Sequence, residues 1–399
     1  MLQDMDGEMR RRGLDALIVI GDGTYNNPEL YYVVGAHVPR GGIYLKKAFE
    51  PPLLLVNSMD LSEAKRGRVK EVKAFSDYGY ERLLKAHGAG KALPLLLKKV
   101  FKERGVSGRI ALAGRSELSK GLRLADELKA LGYRVVGEAR PTLLESLMET
   151  KEPKELRRIK AVAEKAAKVV EETIDFLSGL KPRGKFLFRG GRKVTVGDVK
   201  RRARLLLSEE GLVPSEGLIF SVGPKSARPH YQGEDRDPLA PNRPIIFDLF
   251  PREPGGYFAD ITRTFVVGKA PRRVKAIHQA VLEAQRVAAE RLRPGAKAKD
   301  VAGAVCGFFE KLGYPTVRSA PKAMRGFIHA LGHGVGLTIG DRPALSPFSQ
   351  DEIKVGNVVT IEPGLYFPRV GGVRVEDTVS VTKAGPKTLT KLTRELEII

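Results

Sequence analysis

The sequence predicts an α/β domain over residues 1–150 followed by an α+β domain over residues 151–399 with an internal repeat. Three observations lead there. The chain has 399 residues, more than one hydrophobic core usually serves. Strand-like and helix-like apolar runs alternate through the first 150 positions. A helix–helix–strand pattern then occurs twice in the remainder.

In the first domain Leu14 to Ile20, Leu53 to Val56, Arg109 to Ala113 and Tyr133 to Val136 read as strands. Ala92 to Arg104 and Gly121 to Gly132 read as helices. A boundary falls near residue 150, where the polar stretch Glu149-Thr150-Lys151-Glu152 precedes Pro153 at the expected first turn of a long helix, Lys154 to Leu177. That helix is expected to run to Lys181-Pro182-Arg183-Gly184. Thr195 and Asp198 open the next, and Gly211 ends it. The same punctuation returns with a helix from Arg272 to Arg293-Pro294-Gly295, an opening at Asp300 and a stop at Gly313. Pro and Gly recur between helices in many proteins, but the matching order and spacing favour a duplicated unit.

Composition narrows the function classes. Hydrophobic residues make up 42% of the chain, which suits a globular protein. The charged start Met1 to Arg12 and the short apolar run after it predict neither a signal peptide nor a transmembrane helix. The single cysteine, Cys306, rules out an intrachain disulfide and fits a reducing cytoplasm. Net charge is +22, with the excess mainly in the second half. Residues 181–204 hold ten Lys/Arg, one acid and two phenylalanines, Phe186 and Phe188. That strip would suit nucleic acid or an acidic partner, yet a solvated basic face is the more economical reading.

Four stretches of the second domain carry chemistry. Asp248 interrupts the apolar run Ile245 to Phe250, and Asp260 lies in the β-prone run Tyr257 to Phe265, reached through Gly255-Gly256. A hairpin there brings the two acids together. His329 and His333 lie four apart in a glycine-rich segment, Gly326 to Gly336, that disfavours a regular helix. Glu362 ends the run Val358 to Ile361, and Glu376 follows Arg374 at strand spacing. Each acid alone could serve an ordinary structural role, such as Asp260 pairing with Arg263. Together, four acids in apolar strands and one glycine-flanked histidine would balance two divalent cations, since an uncompensated buried carboxylate is costly. Two such ions share bridging carboxylates, activate a water and stabilise the oxyanion formed at an amide. A carboxylate-dominated set selects manganese, cobalt, iron or zinc over a thiolate-seeking ion.

The order Asp248, Asp260, His333, Glu362, Glu376 resembles that of the metallopeptidases with the pita-bread fold: methionine aminopeptidase, Xaa-Pro aminopeptidase and Xaa-Pro dipeptidase (prolidase). The supporting motifs are SVGPKSARPHY, FDLF, YFADITRTF, HALGHGVG, TIEPGLY and VRVEDTVSVT. The preceding domain, with Asn27-Pro28-Glu29 after its first strand, is similar to the creatinase-like N-terminal domain of the Xaa-Pro branch. The resemblance implies a pita-bread catalytic domain with a pseudo-two-fold repeat, two divalent ions (manganese or cobalt first, zinc or iron next), and hydrolysis of small peptides with proline after the scissile bond. Asp260 and Glu376 would bridge the ions, Asp248 would complete one shell, and His333 with Glu362 the other. Glu362 would also shuttle the proton, His230 and His329 would face the substrate, and Arg374 would orient the second Glu or a substrate carboxylate. A homodimer and a cytoplasmic location, with neither membrane nor nucleic-acid partners, complete the expectation. A hydrolase of another small amide, or a basic binding module, are the alternatives. Two departures stand out. Gly340 occupies a place where the family usually has a second histidine, and the interval from Asp248 to Asp260 is one residue longer than usual.

Overall fold

The computed structural model describes residues 1–398 and divides into two compact units, Met1–Met148 and Glu149–Ile399. The first unit is built on a six-stranded mixed sheet. Its strands are β1 (Ala16–Gly21), β2 (Gly42–Lys47), β3 (Leu53–Val56), β4 (Glu71–Ala74), β5 (Arg109–Arg115) and β6 (Arg134–Val136), in the order β4-β3-β2-β1-β5-β6. The helices are α1 (Met5–Arg12), α2 (Pro28–Val34), α3 (Leu61–Ala64), α4 (Tyr80–Arg104), α5 (Leu118–Ala130) and α6 (Leu143–Met148). Local chemistry explains their ends. Asn27 accepts a hydrogen bond from the Leu30 amide at 3.0 Å with Pro28 in the first turn, so α2 starts where the sequence supplies both a cap and a fixed φ. Helix α4 begins twelve residues before the expected Ala92 and breaks at Gly88 (φ 69°, ψ 168°). Its first turns are largely exposed and so carry little apolar period.

The second unit opens with α7 (Pro153–Ser178), whose first turn is closed by the Glu155 carboxylate accepting from the Glu152 amide at 2.7 Å. The expected continuation to Gly184 is instead a small basic sheet of β7 (Lys181–Arg183), β8 (Phe186–Arg189) and β9 (Arg192–Lys193). Gly179 and Pro182 end the helical period that Leu180 and Lys181 would otherwise extend. The rings of this strip lie against its own cations: Lys193 is 4.7 Å from Phe186, and Arg183 is 5.8 Å from Phe188. That intramolecular use leaves them poor platforms for bases.

Then follow α8 (Val196–Glu209), β10 (Ile219–Val222), β11 (Ile245–Leu249), β12 (Ile261–Val267), α9 (Arg272–Arg291) and α10 (Ala298–Lys311). The chain finishes with β13 (Gly332–Val335), β14 (Ile339–Leu345), β15 (Val358–Ile361), β16 (Gly364–Phe367), β17 (Gly371–Arg374), β18 (Asp377–Thr382), β19 (Gly385–Thr388) and β20 (Glu397–Ile398). Strands order as β10-β11-β12-β20 and β14-β13-β15-β18-β19, with β16-β17 a separate hairpin. The duplicated pattern is visible in hydrogen bonds. Helices α8 and α10 both stop at a left-handed glycine, Gly211 (φ 68°) and Gly313 (φ 81°). Each is followed by the same wide turn, Leu212 amide to Leu207 carbonyl and Tyr314 amide to Phe309 carbonyl. Val274, Ile277, Val281, Val305 and Phe309 of α9 and α10 bury against Val359, Ile361, Val379 and Val381 of the second sheet. Cys306 is fully buried in that core. Among the described residues no helix is long and apolar enough to cross a membrane.

Candidate metal centre

The five expected ligands converge on one cavity of about 390 Å³ in the second unit, and strand register explains how. In the first sheet Asp248 pairs with Thr262 and Leu249 with Ile261, so Asp260 lies one residue beyond the paired end. In the second sheet Ile361 pairs with Asp377, and Glu362 and Glu376 both lie just past that pair. Cross-links join the two ends. Thr378 accepts from the Asp260 amide at 2.9 Å and donates to the Asp260 carbonyl at 2.7 Å. Thr262 donates to Glu376 Oε2 at 2.6 Å while its carbonyl accepts from the Glu376 amide at 3.0 Å. The longer interval between Asp248 and Asp260 is absorbed in the turn at 251–257, closed by bonds between Glu253 and both Tyr257 and Gly256.

Ligand atoms of Asp260, His333 and Glu376 all lie within 4.8 Å of one another. His333 Nε2 stands 3.7 Å from Asp260 Oδ2 and 3.6 Å from Glu362 Oε1. The other nitrogen, Nδ1, faces the Gly334 carbonyl at 3.1 Å. With the proton there, Nε2 turns its lone pair toward the carboxylates, as metal ligation requires. Asp248 Oδ1 and Asp260 Oδ1 are buried with no hydrogen-bond partner. Orphaned oxygens in a ring of hard donors fit divalent cations and little else.

The electrostatics agree. Burial, then repulsion from Glu376 and Asp248, lifts the Asp260 carboxyl well above its usual range. Burial, then Glu362 and Asp248, does the same to Glu376. Glu362 is raised to about 7, chiefly by burial, with Asp248 adding to it and Arg374 opposing it. A carboxyl raised in the folded state binds its proton more tightly there than in the unfolded chain, so metal-free protein loses stability as pH climbs from the ordinary 4.5 through about 7. Bound cations displace those protons. Chelator-treated protein should therefore show a Tm that falls between about pH 5 and pH 8. The Tm gain on adding manganese should be larger at the higher pH, and an equal gain at both would sink this account.

Around the carboxylates runs a polar chain. Arg374 donates to Asp248, to Thr262 Oγ1 at 3.1 Å and to the Tyr366 hydroxyl at 2.8 Å. Its hold on Glu376 is thus relayed through Thr262 rather than direct. Tyr366 is 2.9 Å from His329 Nε2, and His329 Nδ1 is 2.6 Å from the Ala330 carbonyl. Burial, and then the Arg374 charge, push His329 down to about 3, so it is a neutral ring donating from Nδ1 and accepting from Tyr366. His230 lines the same cavity from an exposed position. His278 does not line it and is buried on α9, and within the first unit His37 is stacked between Tyr25 and Tyr31.

A family model described as metallopeptidase family M24 matches residues 157–383. The chain belongs to metallopeptidase family M24. Among M24 relatives, the Xaa-Pro dipeptidase of Pyrococcus horikoshii is 30% identical over 390 residues, covering 97% of this chain and 96% of that one. The Xaa-Pro dipeptidase of Pyrococcus furiosus is 34% identical over 262 residues, covering 64% of this chain and 72% of that one. The crystal structure of the Pyrococcus horikoshii prolidase superposes with a TM-score of 0.76 at 26% identity, covering 99% of each chain. The fold is the expected one, an α/β domain with a pita-bread unit, and the protein is a metallopeptidase.

Several M24 residues with no conspicuous sequence pattern of their own hold the site together. Thr262, Thr378 and Tyr366 are in contact with the proposed ligands or with Arg374. Gln285 of α9 donates to the Ile361 carbonyl at 3.2 Å and to Asp377 at 3.0 Å, tying the strands that end in Glu362 and Glu376. Only the threonines left a signal, since Asp260, Thr262 and Thr264 alternate on one face of β12.

Proposed function

We propose that this metallopeptidase hydrolyses the bond before proline at the amino end of small peptides. The observation that carries the reading is the convergence of Asp248, Asp260, His333, Glu362 and Glu376 on one cavity beside His230 and His329. The names of the Pyrococcus relatives support the substrate class. In this reading Asp248, Asp260, His333, Glu362 and Glu376 would together hold two divalent ions. Manganese or cobalt suits the donor set best, and zinc or iron would be accepted. Bound there, the ions would lower the pKa of a water and withdraw charge from the scissile carbonyl.

The chain's own groups do the rest. Glu362, with a carboxyl poised near 7, takes the proton of the attacking water and returns it to the leaving nitrogen. Thr360 donates to Glu362 Oε1 at 3.3 Å and so steadies it. His329, held neutral between Tyr366 and Ala330, offers the prolyl ring an uncharged wall, and His230 closes the cavity on the solvent side. Arg374 orients Asp248. Residues 151–399 form the catalytic domain and residues 1–150 the creatinase-like one. The single buried cysteine supports a cytoplasmic setting, and the family resemblance supports a homodimer. Purified protein given manganese should cleave a Xaa-Pro dipeptide or tripeptide, and chelation should abolish the activity. If metal-loaded protein cleaves neither, a hydrolase of another small amide takes its place.

A further inference from the structure

The cavity wall holds one carboxylate that the metal centre does not use. Glu216 lines the same cavity as His333 and Glu362, is exposed, and pairs with no side chain among the described residues. This is unexpected in a chain of net charge +22, where cations are plentiful. Its backbone is fixed. The Gly217 amide closes a turn on the Pro214 carbonyl at 3.0 Å, and Gly217 adopts φ 95°, which suits only glycine. Upstream, Val213 and Arg252 exchange two backbone bonds at 2.9 and 3.0 Å. Downstream, Ile219 stands opposite Asp248 in the sheet. The carboxylate is therefore carried on a held turn three residues from a strand that ends in the site.

The same cavity is lined by the apolar side chains of Ile219, Phe250 and Ile339, together with Gln232, the neighbour of Gly217. Beside Ile339, Gly340 has open space where a side chain would stand, and its amide nitrogen lies 3.3 Å from His333 Nδ1. A cavity that offers both apolar side chains and an unpaired carboxylate suits a side chain with a long apolar stem and a cationic head.

We propose that Glu216 selects a lysine or arginine as the residue before proline. This rests on the Xaa-Pro reading, in which His230 and His329 take the prolyl side and leave the wall of Ile219, Phe250, Ile339 and Glu216 to the preceding residue.

The test compares Lys-Pro peptides with norleucine-Pro peptides of equal length, which share the α-amine and the stem and differ in the cationic head. On metal-loaded enzyme kcat/KM should favour lysine about fivefold, as expected for a partly solvated ion pair, and the preference should shrink in 1 M salt. Glu216→Gln should bring the ratio to near one, and Glu216→Lys should invert it. A wild-type ratio near one, a ratio unchanged in Glu216→Gln, or an equal fall for both peptides, which would assign the carboxylate to the α-amine, overturns the proposal and leaves the Xaa-Pro reading intact. If neither peptide is hydrolysed, the Xaa-Pro reading fails instead. Calorimetric binding of the two peptides to wild type and Glu216→Gln then decides on Glu216, equal Kd values overturning its role.

Discussion

Glu362→Gln is expected to lower kcat on a Xaa-Pro peptide by about three orders of magnitude, the scale of a lost general base and acid. The physical reason is the position of this carboxyl. It lies one residue beyond the β15–β18 pairing, 3.6 Å from His333 Nε2, and burial holds its proton affinity near neutrality. An amide in its place keeps an oxygen toward the ions and loses the ability to carry a proton. Metal content measured alongside separates the two consequences. Two ions per chain with a collapsed kcat supports the proton-transfer role, whereas a kcat within tenfold of wild type at full metal loading would remove Glu362 from it.

The largest effect on stability is expected at Arg263, which is 2% exposed and is the largest fully buried side chain. It donates to the Glu376 carbonyl at 2.6 Å, to the Thr393 carbonyl at 2.8 Å and to Asp377 Oδ1 at 2.8 Å. Asp377 is equally buried, so truncating Arg263 removes one of its two cationic partners, the other being Arg394 at 2.6 Å. Breaking a buried pair in this way costs about 3–5 kcal/mol, which for a unit of this size is a fall in Tm of roughly 10 °C. Arg263→Ala should show that loss in a thermal melt, and Arg263→Lys should recover little of it, because an ammonium cannot span three acceptors in a plane. A melt displaced by less than about 2 °C would contradict the argument.

Arg263 also shows what one sequence makes legible. The four acids are readable because a carboxylate in an apolar strand is expensive, and their fixed order around one glycine-flanked histidine points to bound cations. The alternative of Asp260 pairing with Arg263 fails on alternation. Asp260, Thr262 and Thr264 share one face of β12, and Arg263 faces the other way, toward Asp377 and the segment near Thr393. That partner lies more than a hundred residues away, and no local pattern announces it. Gln285 and Tyr366 are hidden for the same reason, since their roles exist only once β15, β17 and β18 are in register. Helix ends differ from expectation where exposure erases the apolar period, as before Ala92, or where a small basic sheet follows, as after Ser178.

The proposed ligands, three of which lie just beyond paired strand ends, are shared between two halves of the second unit, and this has a consequence for assembly. Asp248 and Asp260 come from the first of the two similar halves, His333, Glu362 and Glu376 from the second. Neither half owns a complete coordination set. A cut in the link from Val267 to Arg272 would therefore yield two fragments, each unable to hold a pair of ions. Recovery of metal by their mixture would report, without any substrate, that the two halves had found each other in the native register. The ions would serve as a thermodynamic clasp between duplicated pieces as well as the tool of hydrolysis.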